Sequence, residues 1–228
     1  DLMQKTDWFP SVAFALESAF LQIQSPWGRS FQVPTSALLM GTKKEIEAQI
    51  PFAQGASIVK LKLAHLTLFE AKELLEKLPA HQQLRIDANR TWSKRESLAL
   101  VEAIQPGRVQ YFEEPFASFE EWKEGFPVSL AIDESCMEDS LCNPSLLETY
   151  VMLGMHWIIY KPSVHGGRWR GQKLFLWAQE LGVRIVLGSS FESPLGIACI
   201  CDLARRLDNQ EVLGVGTLPF IATSATWG

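Results

Sequence analysis

The hydrophobic pattern of this chain changes period again and again along its length. Stretches in which apolar residues recur every three to four positions predict helices over 11–23, 43–54, 66–78, 93–103, 119–125, 144–153, 171–181 and 194–207. Between them lie short runs rich in Val, Ile, Leu and aromatic residues, which predict strands over 37–41, 58–64, 84–89, 109–113, 128–133, 157–161, 183–188 and 211–215. Ser11, after Pro10, and Thr67 are the expected N-caps of the first and third helices, because a short hydroxyl side chain can accept an orphan backbone N–H.

Eight strands separated by helices are the signature of a parallel α/β sheet. Eight units in 228 residues favour a closed (β/α)8-type TIM barrel over an open doubly wound sheet. On this reading residues 31–228 form the barrel, and residues 1–30 are a lead-in segment ending in the first helix.

Charged residues interrupt the strands at one end. Lys60 and Lys62 stand two apart within a run that otherwise reads as buried, so their side chains share a face. Burial and like-charge repulsion are expected to lower the pKa of each, which is how a lysine becomes a usable base near neutrality. Asp87, Glu113, Asp133 and Lys161 follow, each at or near the C-terminal end of the next strand in turn. In a barrel those ends converge on one mouth, where active sites are built. Three carboxylates from adjacent strands make a hard oxygen set suited to Mg2+, or to Mn2+ in its place, with lysines on either side. Such an arrangement suits removal of a proton beside a substrate carboxylate, with the resulting enolate stabilised by the metal.

Composition narrows the field. A formal net charge of −5 argues against nucleic acid and anionic membranes as partners. No apolar run is long enough for a bilayer span, and the start has no signal-peptide pattern, so a cytoplasmic location is expected. Cys136, Cys142, Cys199 and Cys201 match neither a zinc ribbon nor a redox pair, and His65, His81, His156 and His165 form no metal-binding array.

The ordered set Lys60-Leu61-Lys62, Arg85-Ile86-Asp87-Ala88-Asn89, Glu113-Glu114-Pro115, Ile132-Asp133-Glu134-Ser135 and Tyr160-Lys161-Pro162 resembles the enolase superfamily. Within it the chain is similar to the muconate-lactonizing subgroup and, there, to the o-succinylbenzoate synthase family. The resemblance runs from about Ser11 to about Phe220. It implies Mg2+ on Asp87, Glu113 and Asp133, with Glu113 rather than Glu114 as ligand because Glu113 shares a strand face with Tyr111. It also implies Lys62 as the acid/base, Lys60 as its tuning neighbour, and Lys161 as the cation facing the enolate. Asn89 and Glu134 are expected to support the cluster. Gly188-Ser189-Ser190 is expected to offer free backbone N–H groups to a substrate carboxylate, with Arg85 and Gly214 as further substrate contacts.

The implied reaction is a syn dehydration of a small cyclohexadiene carboxylate in menaquinone biosynthesis. Dipeptide epimerases share the site but carry a D-x-D after the eighth strand, and residues 214–221 hold no carboxylate. N-acylamino-acid racemisation, dipeptide epimerisation, which that lack disfavours, and cycloisomerisation are the alternatives, with a non-catalytic metal-binding barrel behind them. Members of the superfamily carry an N-terminal capping domain that closes over the barrel mouth. None is found in this sequence, and one is expected in the full-length protein.

Overall fold

The computed structural model describes residues 8–27, 32–116, 125–136 and 144–221. In chain order its elements are α1 (Pro10–Gln24), β1 (Ala37–Leu39), α2 (Lys43–Ala53), β2 (Ile58–Lys62), α3 (Leu68–Lys77), β3 (Gln83–Asp87), α4 (Lys94–Val101), β4 (Val109–Glu113), β5 (Leu130–Ile132), α5 (Pro144–Met152), β6 (Met155–Tyr160), α6 (Pro162–His165), α7 (Gly167–Glu180), β7 (Arg184–Leu187) and α8 (Pro194–Arg206). The helix expected over 119–125 falls almost wholly outside the described residues, as does Cys142. No described helix is long and apolar enough to cross a membrane.

The strands form one parallel sheet in the order β1 to β7, so neighbours in sequence are neighbours in space. This is a barrel-like α/β domain. The eighth expected strand does not form as one. Its place is taken by two isolated bridges, Gly188 with Gly214 on the β7 side and Thr35 with Leu213 on the β1 side. Backbone bonds from Gly214 N to Leu187 O and from Ser36 N to Leu213 O, each 2.9 Å, fix this seam. At this seam a Cβ on Gly188 would crowd Ile159 Cγ2 at 3.2 Å, whereas one on Gly214 would make ordinary contact with the Gly188 Cα at 3.6 Å.

Strand alternation divides the buried residues into two groups. Leu61, Leu84, Ile86, Phe112, Ile132, Ile158 and Leu187 face the helices and belong to the large outer core. Tyr111, Ala131, Trp157, Ile159 and Val186, from the intervening positions, form a separate cluster inside. Tyr111 and Trp157 meet there at 5.1 Å, and Arg85 lies over the Tyr111 ring. This interior layer is filled, so a ligand can enter only at the C-terminal ends of the strands.

Helices α2, α3 and α4 all begin with the same device. Thr42, Thr67 and Ser93 each accept the N–H of a glutamate three residues on, and the carboxylates of Glu45, Glu70 and Glu96 reach back to the cap N–H groups. Each cap stabilises its helix by roughly 1 kcal/mol. The cap expected at Ser11 is not there: α1 starts one residue earlier, with Phe9 as N-cap and Pro10 as the first helical residue. Proline at this first position is pre-set to the helical φ and leaves one fewer N–H unpaired at the helix start.

Candidate active site

The site grows from the inward positions of β2, β3 and β4. In the sheet register Lys62 lies opposite Asp87, and Asp87 opposite Glu113. Alternation therefore turns Lys60, Lys62, Asp87 and Glu113 to the same interior, above the Tyr111 layer. The Lys60 Nζ donates to Glu113 Oε1 at 2.7 Å and lies 3.1 Å from Asp87 Oδ2. The Lys62 Nζ lies 3.0 Å from the same Asp87 oxygen and donates to Asn89 Oδ1 at 3.2 Å. Asp133, just beyond β5, receives the ammonium of Lys161, just beyond β6. All three carboxylates are almost fully buried.

The electrostatics reverse one expectation. Burial pulls the Lys60 pKa down, but Glu113 and Asp87 outweigh it and hold the group well above the ordinary lysine value. The like charge of Lys62 does not decide the matter, because two carboxylates lie closer. Lys161 is likewise raised: Asp133 and Glu113 overcome its desolvation. Burial would raise Asp87, yet Lys60 and Lys62 hold it far below the usual carboxylate range. Glu113 goes the other way, raised by burial and by the Asp87 charge.

Glu114 also carries a task, one the sequence did not reveal. It adopts a φ of 41°, turns to the opposite face from Glu113 and is buried. Its Oε1 accepts the N–H groups of Asp133 and Ser135, both at 2.8 Å, and its Oε2 accepts Arg90 Nε at 2.9 Å and Ser135 Oγ at 2.9 Å. Glu114 therefore fixes the backbone from which Asp133 projects. Asn89 and Arg90, with φ of 45° and 61°, make the turn after β3, and the Asn89 N–H donates to Asp87 Oδ1 at 3.0 Å. The Asn89 amide also reaches Glu134 Oε1 at 3.5 Å.

Above the carboxylates opens a cavity of about 250 Å3, lined by Lys60, Lys62, Glu134 and Lys161 on one side and by Ser36, Leu38, Ser189, Ser190, Phe191, Gly214, Gly216 and Thr217 on the other. Two expectations about substrate contacts are corrected here. The N–H groups of Gly188, Ser189 and Ser190 are not free: they donate to Tyr160 O at 2.9 Å, Gly214 O at 3.2 Å and Glu192 Oε2 at 2.6 Å. Arg85 is fully buried below the cavity, where it donates to Gln110 Oε1 and Val212 O and lines no part of the opening. The hydroxyls of Ser189 and Thr217, 2.8 Å apart, are the polar groups this wall offers instead.

The donor chemistry fits a hard divalent cation. The set is three carboxylates, and Glu113 Oε2 is buried with no hydrogen-bond partner. As the side chains stand, the ammonium groups take the carboxylate oxygens, and no three acidic, imidazole or thiol groups among the described residues surround one point as ligands. Cys199 and Cys201 are free thiols on α8, away from this cluster.

Over 92% of its length the chain is 30% identical to the o-succinylbenzoate synthase of Haemophilus influenzae, and it spans 65% of that relative. The fold matches the o-succinylbenzoate synthase of Thermosynechococcus elongatus, solved with Mg in its active site, with a TM-score of 0.68 and 21% identity over 91% of this chain and 67% of that one. It matches the L-Ala-D/L-Glu epimerase of Bacillus subtilis with a TM-score of 0.73 and 18% identity over 97% and 67%. Likeness at such identities establishes the fold, which is common to different chemistries. The enolase C-terminal domain-like family matches residues 45–220, a span that holds β2 to β7 and the whole charged cluster, and the chain belongs to that family.

Proposed function

We propose that the full-length protein is an o-succinylbenzoate synthase, with residues 31–228 as its closed (β/α)8 catalytic barrel and an N-terminal capping domain over the mouth. The observation that carries this reading is the meeting of buried Asp87, Glu113 and Asp133 with lysines from both sides, Lys60 and Lys62 from β2 and Lys161 from the end of β6. The synthase relative, at 30% identity, supports the choice of reaction.

In this mechanism Asp87, Glu113 and Asp133 hold Mg2+, which supplies positive charge against the substrate carboxylate when bound. Lys62 takes the proton alpha to that carboxylate of 2-succinyl-6-hydroxy-2,4-cyclohexadiene-1-carboxylate. The same ammonium then gives the proton to the departing hydroxyl on the same face. A C–H and a C–O bond break, water leaves, and the ring becomes aromatic. Lys161 faces the enolate from the other side and stabilises its charge. Lys60, bound to Asp87 and Glu113, keeps those carboxylates in place. The Ser189 and Thr217 hydroxyls are placed to meet the succinyl end. No residue of 214–221 offers a carboxylate for a substrate ammonium, which favours the synthase reaction over the epimerase one.

The test is the loss of diene absorbance when the cyclohexadiene substrate and Mg2+ are added to the full-length protein, beside an EDTA control. Metal-dependent loss is expected. An unchanged spectrum from protein that binds Mg2+ would transfer the assignment to another reaction of the superfamily.

A further inference from the structure

Helix α1 lies before residues 45–220, which the family matches, and it carries a buried carboxylate. Glu17 is 2% exposed, its Oε1 has no hydrogen-bond partner, and its Oε2 receives the N–H of Trp169 at 3.4 Å. The carboxylate sits at the first turn of α7, whose N-cap Gly166 supplies no side-chain cap. There it meets the first-turn N–H groups of Trp169 and Arg168, which have no acceptor within the helix, and the positive charge of the Arg168 guanidinium. Asp202 of α8 lines the same cleft but is engaged by Arg205, Arg206 and Gln22.

The contact extends toward the catalytic loop. Gly167 has a φ of +78°, and a Cβ there would lie 2.1 Å from Glu17 Oε2. The carbonyl of the same Gly167 accepts the Tyr160 hydroxyl at 2.5 Å. Tyr160 is the residue before Lys161, and its ring stacks on His165 at 4.8 Å. The His165 Nδ1 accepts the Lys161 N–H at 2.9 Å. A continuous set of contacts thus runs from Glu17 through Gly167, Tyr160 and His165 to the backbone of Lys161.

We propose that Glu17 is a positioning residue for Lys161: its carboxylate, delivered by α1 to the first turn of α7, holds the Gly166–Gly167 turn and through Tyr160 fixes the lysine over the carboxylate cluster. The inference rests on Lys161 acting in the proposed reaction. Burial pushes the Glu17 pKa up to about 7, so the ionised group is a burden on stability near neutrality, and its use lies in what it holds.

The experiment uses the full natural chain with Mg2+ and compares Glu17→Ala, Glu17→Gln and Tyr160→Phe by steady-state kinetics and by hydrogen exchange of the 161–169 segment. Glu17→Ala is expected to lower kcat about tenfold with KM within about twofold, and to speed exchange across 161–169. Glu17→Gln, whose amide oxygen can accept the same N–H, is expected to bring kcat back to within about threefold of the parent. Combining Glu17→Ala with Tyr160→Phe should cost less than the sum of the two changes, because both cut the same set of contacts. A folded Glu17→Ala protein with unchanged kcat and unchanged exchange overturns the proposal. If Glu17→Ala does not fold, Tyr160→Phe alone decides: unchanged exchange at 161–169 overturns it. Should the parent show no synthase activity, the functional reading falls while the exchange data still decide whether Glu17 orders the lysine loop.

Discussion

From β2 round to β6 the cavity is bounded by Lys60, Lys62, Glu134 and Lys161, with Asp87, Glu113 and Asp133 buried beneath them; Lys60 and Lys62 pair with Asp87 and Glu113 at 2.7–3.1 Å, and Lys161 pairs with Asp133. From β7 round to β1 it is bounded by Ser36, Ser189, Gly214, Gly216 and Thr217, with Phe191 at the rim and no charged side chain. The first wall carries the charge, and its lysines are held by the carboxylates beneath them. The second is made of small residues and hydroxyls, and the backbone N–H groups of Ser36, Ser189 and Gly214 are already spent on holding the seam, so it is suited to recognising shape and one or two polar atoms. The two walls are therefore separable in this chain: none of the ion pairs of the charged side involves a residue of the neutral side.

That contrast can be broken most sharply at Lys62. Lys62→Ala is expected to reduce turnover by about 10^3-fold or more while Mg2+ affinity stays within a few-fold, as measured by steady-state kinetics and metal titration. Ordinary turnover in this variant would mean the charged wall does not supply the base. Asp133→Asn should act on metal binding instead, weakening Mg2+ roughly tenfold or more in a calorimetric titration. A titration identical to the parent would remove Asp133 from the ligand set. On the neutral wall effects should be smaller and of another kind. Thr217→Val deletes one hydroxyl of the Ser189–Thr217 pair, about 1 kcal/mol, and should raise KM several-fold with kcat nearly constant. A kcat loss as large as that of a charged-wall variant would erase the distinction between the two sides.

The smallest expected effect compares a buried carboxylate that has lysine partners with one that has none. Asp87 is held far below its usual range by Lys60 and Lys62, whereas Glu17, without an ammonium in contact, is raised from 4.5 to about 7. The folded state therefore binds more protons than the unfolded state between these two values. The stability that Glu17 contributes is complete below about pH 4.5 and is lost as pH rises through about 7. Glu17→Gln should flatten this trend, with its Tm exceeding that of the parent by ~5 °C at pH 8 and by little at pH 5. Parallel melting curves for the two proteins at both pH values would show that the Glu17 carboxylate is solvated.

Much of the charged wall was legible because it obeys local rules. Period-two alternation puts Lys60 with Lys62 and Glu113 with Tyr111, and strand order puts Asp87, Glu113 and Asp133 side by side; β4 was read to the residue at Val109–Glu113. Where the reading failed, the cause was a partner outside the local strand pattern, in most cases distant in sequence. Free N–H groups at Ser189 and Ser190 were a fair inference from a Ser-rich loop, but Gly214 and Glu192 claim them. A lowered Lys60 pKa followed from its neighbour Lys62, and the carboxylates from β3 and β4 reverse it. Arg85 sits two residues before Asp87 and shares its face, yet one layer lower in the barrel it is sealed off by Gln110 and Val212. Glu114 was passed over because alternation points it away from the cavity, and only the positive-φ turns at Glu114, Asn89 and Arg90 bring its partners within reach.

The seam between Pro34–Ser36 and Leu213–Gly214 has a consequence for how the chain finds this structure. Every other strand pairing joins units adjacent in sequence, so each can form by adding one unit to the last, whereas the Ser36–Leu213 contact spans 177 residues. Loop-closure entropy makes such a contact late to form and early to open. The amides of Ser36 and Leu213 should therefore exchange with solvent faster than those of β3 and β4, so the neutral wall of the cavity is also where the fold loosens first.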